Sequence, residues 1–234
     1  MVTLTAMTTP NALTDTAGAT TPWRAWQALG RDERMLVLWS AMAFYVVLAS
    51  YYVLRPIRDE LAVFSGAEQL PWLFLGTLGL SLAWSLVFSR LASGRPRREF
   101  VPLALRGFAV VLLLFLGLWF WVPAAQEVWL GRVFYVFVSA FNLFLISLVW
   151  SVVVDSLRVE HGHLLPWVAA GGTLGAATGS LVTAALARHL PVPALLLVSA
   201  VLIEVAVQLF AALFRRVARP GSAGRPINRW RARR

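Results

Sequence analysis

Six long apolar runs dominate the chain, and short polar connections separate them. A helix that spans the hydrocarbon core of a bilayer needs about 20 apolar residues, and each run reaches that length. The runs cover residues 35–54, 71–91, 101–122, 135–154, 166–187 and 192–214. The pattern predicts an all-α membrane protein with six transmembrane helices.

Polar segments flank these runs at both ends of the sequence. Residues 1–34 begin with a threonine-rich stretch that has no apolar period, which predicts a disordered N-terminal tail. Two tryptophans among three arginines follow in residues 23–34 and favour either an interfacial helix or a solvated juxtamembrane segment. Residues 35–214 form the predicted transmembrane domain. Residues 215–234 form a predicted disordered basic tail, which either attracts anionic lipid or is a plain stop-transfer flank.

Composition narrows the function classes further. Hydrophobic residues make up 59% of the chain and charged residues only 14%, against about 25% charged in a typical soluble domain. The chain has no cysteine, three histidines and a net charge of +10. No histidine lies deep in an apolar run, so an intramembrane serine protease is excluded. We therefore expect no enzyme activity, no catalytic residue, no metal, no cofactor and no nucleic-acid partner; the lipid bilayer is the expected surrounding.

The arginines predict the orientation of the chain. All 21 basic residues are arginine, and sixteen of them fall on the side that carries both termini. Four fall on the other side, and Arg106 lies inside the third run. Because positively charged loops stay in the cytoplasm, both termini are predicted to be cytoplasmic.

Charged and aromatic residues cluster where the first run ends. Pro56 disfavours helical geometry at the preceding residue and predicts a kink or a helix end there. If the helix continues, Tyr45, Tyr52, Arg55 and Asp59 share one face, and Arg58 provides a second guanidinium. Two guanidiniums suit an anionic or phosphorylated solute. The alternative is an Arg–Asp cluster that only closes the end of the helix.

Other polar residues lie within the later runs. Glu204 is near the middle of the sixth run with Gln208 one turn further on, and a charge at that depth must face a cavity or a partner. It is either a coupling group or a hydrogen-bonded glutamate at a helix interface. Asn142 either contacts a solute or joins two helices. Asp155 ends the fourth run and is positioned to pair with Arg158.

Small residues form a stripe along the fifth run. Gly171, Gly175, Gly179 and Thr183 recur every four residues. Such a stripe lets two helices approach closely, so the three glycines are predicted to be helix-packing residues.

Several stretches together resemble bacterial ATP/ADP-translocase-like proteins of the major facilitator superfamily. The similarity extends over residues 35–214. It is carried by the run from Tyr51 to Leu61, by Arg95-Pro96-Arg97-Arg98, by Asn142-Leu143-Phe144 with Ser147, Trp150 and Asp155, and by Ala170-Gly171-Gly172-Thr173-Leu174-Gly175 with Gly179.

The resemblance implies a multi-pass transporter of the bacterial inner membrane that works by alternating access. Facilitators have two six-helix halves, and this chain corresponds to the N-terminal half. It would need a homodimer or a separate C-terminal half, and would carry a small-molecule solute, an organic anion or nucleotide-like. Substrate-binding candidates are Arg55, Arg58, Tyr52 and Asn142, and charge-coupling candidates are Asp59, Asp155 and Glu204. The alternative is a non-transporting membrane protein, either an assembly partner or a truncated, inactive half.

The resemblance also implies an internal repeat. Each half should consist of two inverted three-helix units. One trace of this is visible, because the Asp59-Glu60-Leu61 and Asp155-Ser156-Leu157 segments close the first and fourth runs 96 residues apart.

Overall fold

The fold is a bundle of six long helices. The computed structural model describes residues 26–27, 29–123, 127–156 and 164–217, and every regular element within them is helical. The helices are α1 (Arg31–Phe64), α2 (Leu70–Ala92), α3 (Arg97–Trp121), α4 (Glu127–Ser156), α5 (Leu165–Leu186) and α6 (Val192–Val217), with a 3₁₀ turn (Ala67–Gln69) before α2. All six are long and apolar enough to cross a membrane. The prediction of an all-α membrane protein with six spanning helices is confirmed.

Some predicted segments lie elsewhere or outside the described residues. Arg215 and Arg216 are still part of α6, so this helix extends past residue 214, where the predicted transmembrane domain ends. Residues 1–25, 157–163 and 218–234 lie outside the described residues, and with them Arg158, most of the N-terminal tail and most of the C-terminal tail.

Helix α1 continues through Pro56 and ends ten residues beyond its predicted end at residue 54. A proline inside a helix costs about 3 kcal/mol or more. Pro56 itself is exposed, whereas Ile57 and Ala62 beyond it are buried. Burial of this extra segment against the neighbouring helices offsets the cost, so the helix does not end at the proline.

Four of the helices pack in a ring, and each of the other two packs on the outside of one ring helix. The ring runs α1, α6, α3, α4 and back to α1, while α5 packs on α1 and α2 packs on α4. The α1–α4 edge therefore lies opposite the α3–α6 edge. In α2 only Leu73 is buried, so this helix is peripheral.

The glycine stripe of α5 packs directly on the backbone of α1. The contacts pair Gly171 with Ala41, Gly175 with Tyr45 and Gly179 with Ala49. A Cβ atom added to Gly171 would lie only 2.6 Å from the carbonyl oxygen of Ala41. Because the residue numbers rise together, the two helices are parallel. The helix-packing role predicted for the glycines matches this arrangement.

A buried pair of serines fixes α1 against α6. The Ser50 and Ser199 hydroxyl oxygens are 2.8 Å apart, and each also lies 3.1 Å from the other residue's carbonyl oxygen, so one hydroxyl donates to the other hydroxyl and the second donates to a carbonyl oxygen. Hydrogen bonds between membrane helices of this kind contribute about 0.6 kcal/mol each. They set the register of the two helices.

The second three helices repeat the first three. Helix starts recur after 95 or 96 residues, pairing Arg31 with Glu127, Leu70 with Leu165 and Arg97 with Val192. The helix contacts follow the same repeat when α1, α2 and α3 are matched with α4, α5 and α6. The contact of α1 with α5 then corresponds to that of α4 with α2, and the contact of α1 with α6 corresponds to that of α4 with α3. The α1–α4 and α3–α6 contacts each join a helix to its own counterpart. Gly131 of α4 lies against Leu61, near the end of α1, and Trp150, near the end of α4, packs on Phe44. Since α1 and α4 are thus antiparallel, the two units are inverted.

We expect reporter fusions at Ala67 and Arg95 to give opposite signals, because α2 separates these positions. The arginine distribution predicts that Ala67 is outside and Arg95 is cytoplasmic. A third fusion, after Val217, should also report the cytoplasm. An outside signal after Val217 would contradict either the orientation or the number of spans.

Candidate functional site

The C-terminal half of α1 and the N-terminal half of α4 bring polar side chains together around Arg58. Its Nε and Nη2 atoms donate to Oδ1 of Asp59 at 2.9 and 2.6 Å. Its Nη1 atom donates to the hydroxyl of Tyr51 at 2.8 Å and reaches the hydroxyl of Ser139 at 3.5 Å. The ring of Tyr135 lies 5.4 Å from the guanidinium carbon. Arg58 is only 16% exposed and links α1 to α4.

Arg55 is held much more loosely. Its guanidinium carbon lies 5.4 Å from the ring centre of Tyr52, and its Nε atom is 3.7 Å from Oδ2 of Asp59. The side chains of Arg55 and Asp59 are each 49% exposed. One carboxylate therefore lies between two guanidiniums and neutralises only one of them.

These residues form a continuous polar face on the α1–α4 edge. We define the polar face as Tyr52, Arg55, Arg58, Asp59 and Ser139. The face exists because α1 stays helical through the proline, which places residues 52, 55 and 59 on one side.

Further polar groups lie along α1 and α4 beyond the polar face. Asn142 lies one turn beyond Ser139 on α4, and its Oδ1 atom is buried without a hydrogen-bond partner among the described residues. The hydroxyl of Thr178 on α5 donates to the hydroxyl of Tyr45 at 2.9 Å. A buried carbonyl oxygen without a partner costs free energy, so the side chain of Asn142 has an unmet need for a donor among the described residues.

The chemistry of the polar face suits an anion. Guanidinium groups stay charged when partly desolvated and bind carboxylates and phosphates through two parallel hydrogen bonds. Arg55 has the exposure to do this, and the tyrosine beside it provides an aromatic surface. Among the described residues, no group of three or more histidine, aspartate or glutamate side chains could hold a metal ion.

Asp155 lies at the other end of α4, apart from the polar face. Its Oδ2 atom is 2.5 Å from Nη1 of Arg97 at the start of α3. The same nitrogen donates to the carbonyl oxygen of Ser151 at 2.6 Å and to its hydroxyl. The expected partner Arg158 lies outside the described residues. The side chains of this pair are partly exposed, so it is a boundary contact between α3 and α4.

Glu204 is also separate from the polar face, on the α3–α6 edge. Its carboxylate accepts from Nε and Nη2 of Arg106 at 3.2 and 2.9 Å, and from Nε2 of Gln208 at 2.7 Å. The sequence interpretation treated Arg106 only as a charge inside the third run and missed this pair. The available signal was that one acid and one base lie within two apolar runs, where charges seek each other.

The sequence interpretation also missed most of the internal repeat. Leu70-Pro71-Trp72 at the start of α2 recurs as Leu165-Pro166-Trp167 at the start of α5. Thr77-Leu78-Gly79 recurs as Thr173-Leu174-Gly175. The polar face lies where the first helices of the two repeats meet. No family model, no curated protein and no solved structure matches this chain.

Proposed function

We propose that this chain is a six-helix unit of a secondary transporter of the facilitator type, and that the polar face binds an organic anion or a nucleotide-like solute. The observation that carries the proposal is the position of this cationic face at the junction of two inverted three-helix repeats. In secondary transporters built from inverted repeats, solute sites lie at the interface between repeats.

Charge supports an anion as the solute. Two guanidiniums share the single carboxylate of Asp59, and the half-exposed Arg55 has the weaker contact. An incoming phosphate or carboxylate replaces Asp59 as the partner of Arg55. Tyr52 then lies against any flat group of the solute, because its ring is already next to that guanidinium.

A solute on the polar face needs protein on its other side. In the facilitator pattern the substrate path runs between two six-helix units, so the proposal places a second unit over the α1–α4 edge. That unit is a second copy or a separate chain. The proposal also places the protein in a bacterial inner membrane with both termini in the cytoplasm.

Binding to the purified wild-type protein tests this function. The panel contains nucleotides and di- and tricarboxylates, with neutral sugars and organic cations as controls. We expect at least one anion to raise the melting temperature in detergent, since a ligand at about 100 times its Kd stabilises the folded state by about 2.7 kcal/mol.

Uptake into proteoliposomes completes the test. The anion that binds should accumulate faster than in protein-free vesicles, either with this chain alone or with a co-reconstituted second unit. If no anion in the panel is bound or moved, the transport proposal is wrong and the non-transporting alternative takes its place.

A further inference from the structure

An exposed ion pair joins two spanning helices within their apolar runs. Arg106 is nine residues into α3, and Glu204 is twelve residues into α6 and thirteen from its end. At about 1.5 Å per residue, Glu204 lies near half the depth of a hydrocarbon core about 30 Å thick, and Arg106, five residues into the apolar run that starts at residue 101, lies about a quarter of the way through it. The side chains are nevertheless 55% and 45% exposed.

Hydrocarbon is a poor environment for these two groups. Charged side chains within a membrane face the interior of the protein or a water-filled cavity, because contact with lipid is costly even for a paired charge. Arg106 and Glu204 lie on the outside of the α3–α6 edge, opposite the polar face. The described part of the chain leaves about half of each side chain uncovered, and a further protein surface would shield both from lipid.

The neighbouring residues are suited to packing against another helix. We define the α3–α6 face as Leu103, Arg106, Val110, Val201 and Glu204, all of which are exposed except the glutamate, which is partly so. Gly107 lies beside them, and a Cβ added there would meet no heavy atom within 4 Å. A small residue at this point lets a partner helix approach closely.

We propose that a second copy of this chain docks on the α3–α6 face, with Arg106 of each copy paired to Glu204 of the other. The charge pattern identifies this occupant. The face carries one positive and one negative group, so it is complementary to itself under a two-fold axis, as symmetric dimer interfaces require. Four charges then form a closed, neutral ring away from lipid. The α1–α4 edge of each copy stays free, so this dimer is independent of the proposed transport function.

Charge reversal with mixed chains tests the proposal. R106E gives a face with two carboxylates, and E204R gives a face with two guanidiniums. Each variant alone should lose self-association by more than about tenfold, because like charges would meet across the axis. Chains of the two variants mixed together should form the heterodimer, with association restored to near the wild-type value. A role within one chain predicts no such rescue.

The absence of cysteine in the chain makes the measurement direct. A Ser93→Cys substitution in the loop after α2 gives one labelling site, and energy transfer between donor- and acceptor-labelled chains in liposomes reports dimerisation as the protein density is varied. The matched control is the ion pair of Arg97 and Asp155, which also joins two helices. R97E and D155R should each stay dimeric, since Arg97 and Asp155 lie at the membrane boundary, away from the α3–α6 face.

Three results would overturn the proposal. One is a wild-type chain that stays monomeric at all densities. Another is a pair of variants, R106E and E204R, that dimerise as well as the wild type. The third is a mixture of R106E and E204R chains that does not recover association. The R106E/E204R double variant, in which the pair within one chain is rebuilt, is the control for folding and should melt at the wild-type temperature.

Discussion

Gly175→Leu is expected to separate α5 from α1 and to lower the free energy of unfolding by about 3 kcal/mol, the upper part of the usual range for overpacking. A Cβ atom added to Gly175 would overlap the backbone of Tyr45, with its carbonyl oxygen as the nearest atom. Backbone atoms cannot rotate away as a side chain can, so even Gly175→Ala should be destabilising, although less so. Thermal unfolding in detergent measures both variants, and both should still insert into the membrane.

The internal repeat provides a matched control for this prediction. Gly79 occupies the position in α2 that corresponds to Gly175 in the Thr-Leu-Gly segment, and a Cβ added to it would meet no heavy atom within 4 Å. Gly79→Leu should therefore change the free energy of unfolding by no more than about 0.5 kcal/mol. Equal destabilisation by the two leucine substitutions would show that the α1–α5 contact is not what makes Gly175 sensitive.

The number of helices was predictable because the bilayer restricts the choices. A chain in hydrocarbon must satisfy its backbone hydrogen bonds internally, so each long apolar run has to be a helix. The ends of the helices were less predictable. Hydropathy does not show that α1 continues for ten residues past its predicted end, because burial of Ile57 against other helices is a tertiary effect.

The partner of the glycine stripe was not predictable either. The four-residue spacing indicated a smooth face on α5, and that part needed only helix periodicity. The facing positions on α1 are Ala41, Tyr45 and Ala49, which include a large aromatic residue and so carry no sign of a groove. The glycines contact the backbone carbonyl groups of these three residues. The residue types on α1 do not show that its backbone is accessible to another helix at these positions.

The candidate site was predicted in part. The interpretation of Arg55, Arg58 and Asp59 as one cluster agrees with the contacts in the structure. Asp155 and Glu204 were grouped with them as coupling candidates, yet each lies in a separate place with its own arginine. Sequence gives the depth of a charge in a helix but not the direction it faces around the bundle. That direction places Asp59, Asp155 and Glu204 in three separate parts of the structure.

Arg55→Gln is expected to weaken anion binding by roughly 10- to 150-fold while leaving the fold intact, because a hydrogen bond to a charged group contributes about 1.5–3 kcal/mol. The side chain is half-exposed and its contact with Asp59 is long, at 3.7 Å, so its loss should cost little stability. Arg98→Gln is the control. Arg98 is also exposed and lies 3.6 Å from a neighbouring carboxylate, that of Glu99, but at the opposite end of the bundle.

Arg58→Gln should give a different result from Arg55→Gln. It removes the hydrogen bonds to Tyr51 and Asp59 and leaves a buried hydroxyl without its partner, so both stability and anion binding should fall. Melting curves and binding isotherms, measured on the same samples, separate the two effects. Binding that is unchanged in Arg55→Gln would contradict the placement of the solute on the polar face.

Asp59→Asn is expected to strengthen anion binding, and the direction of this change separates a solute site from a helix-closing cluster. In the wild type the carboxylate of Asp59 occupies the guanidinium of Arg58 at 2.6 Å and lies beside that of Arg55, so a bound anion must compete with it. The asparagine keeps the size of the side chain and removes its charge, which leaves both guanidiniums for the solute.

A cluster that only closes the end of α1 would lose stability in this variant with no gain in affinity for any anion. Titration of wild-type and variant protein with the anion found in the panel measures the difference, and equal or weaker binding by Asp59→Asn would count against the polar face as the solute site.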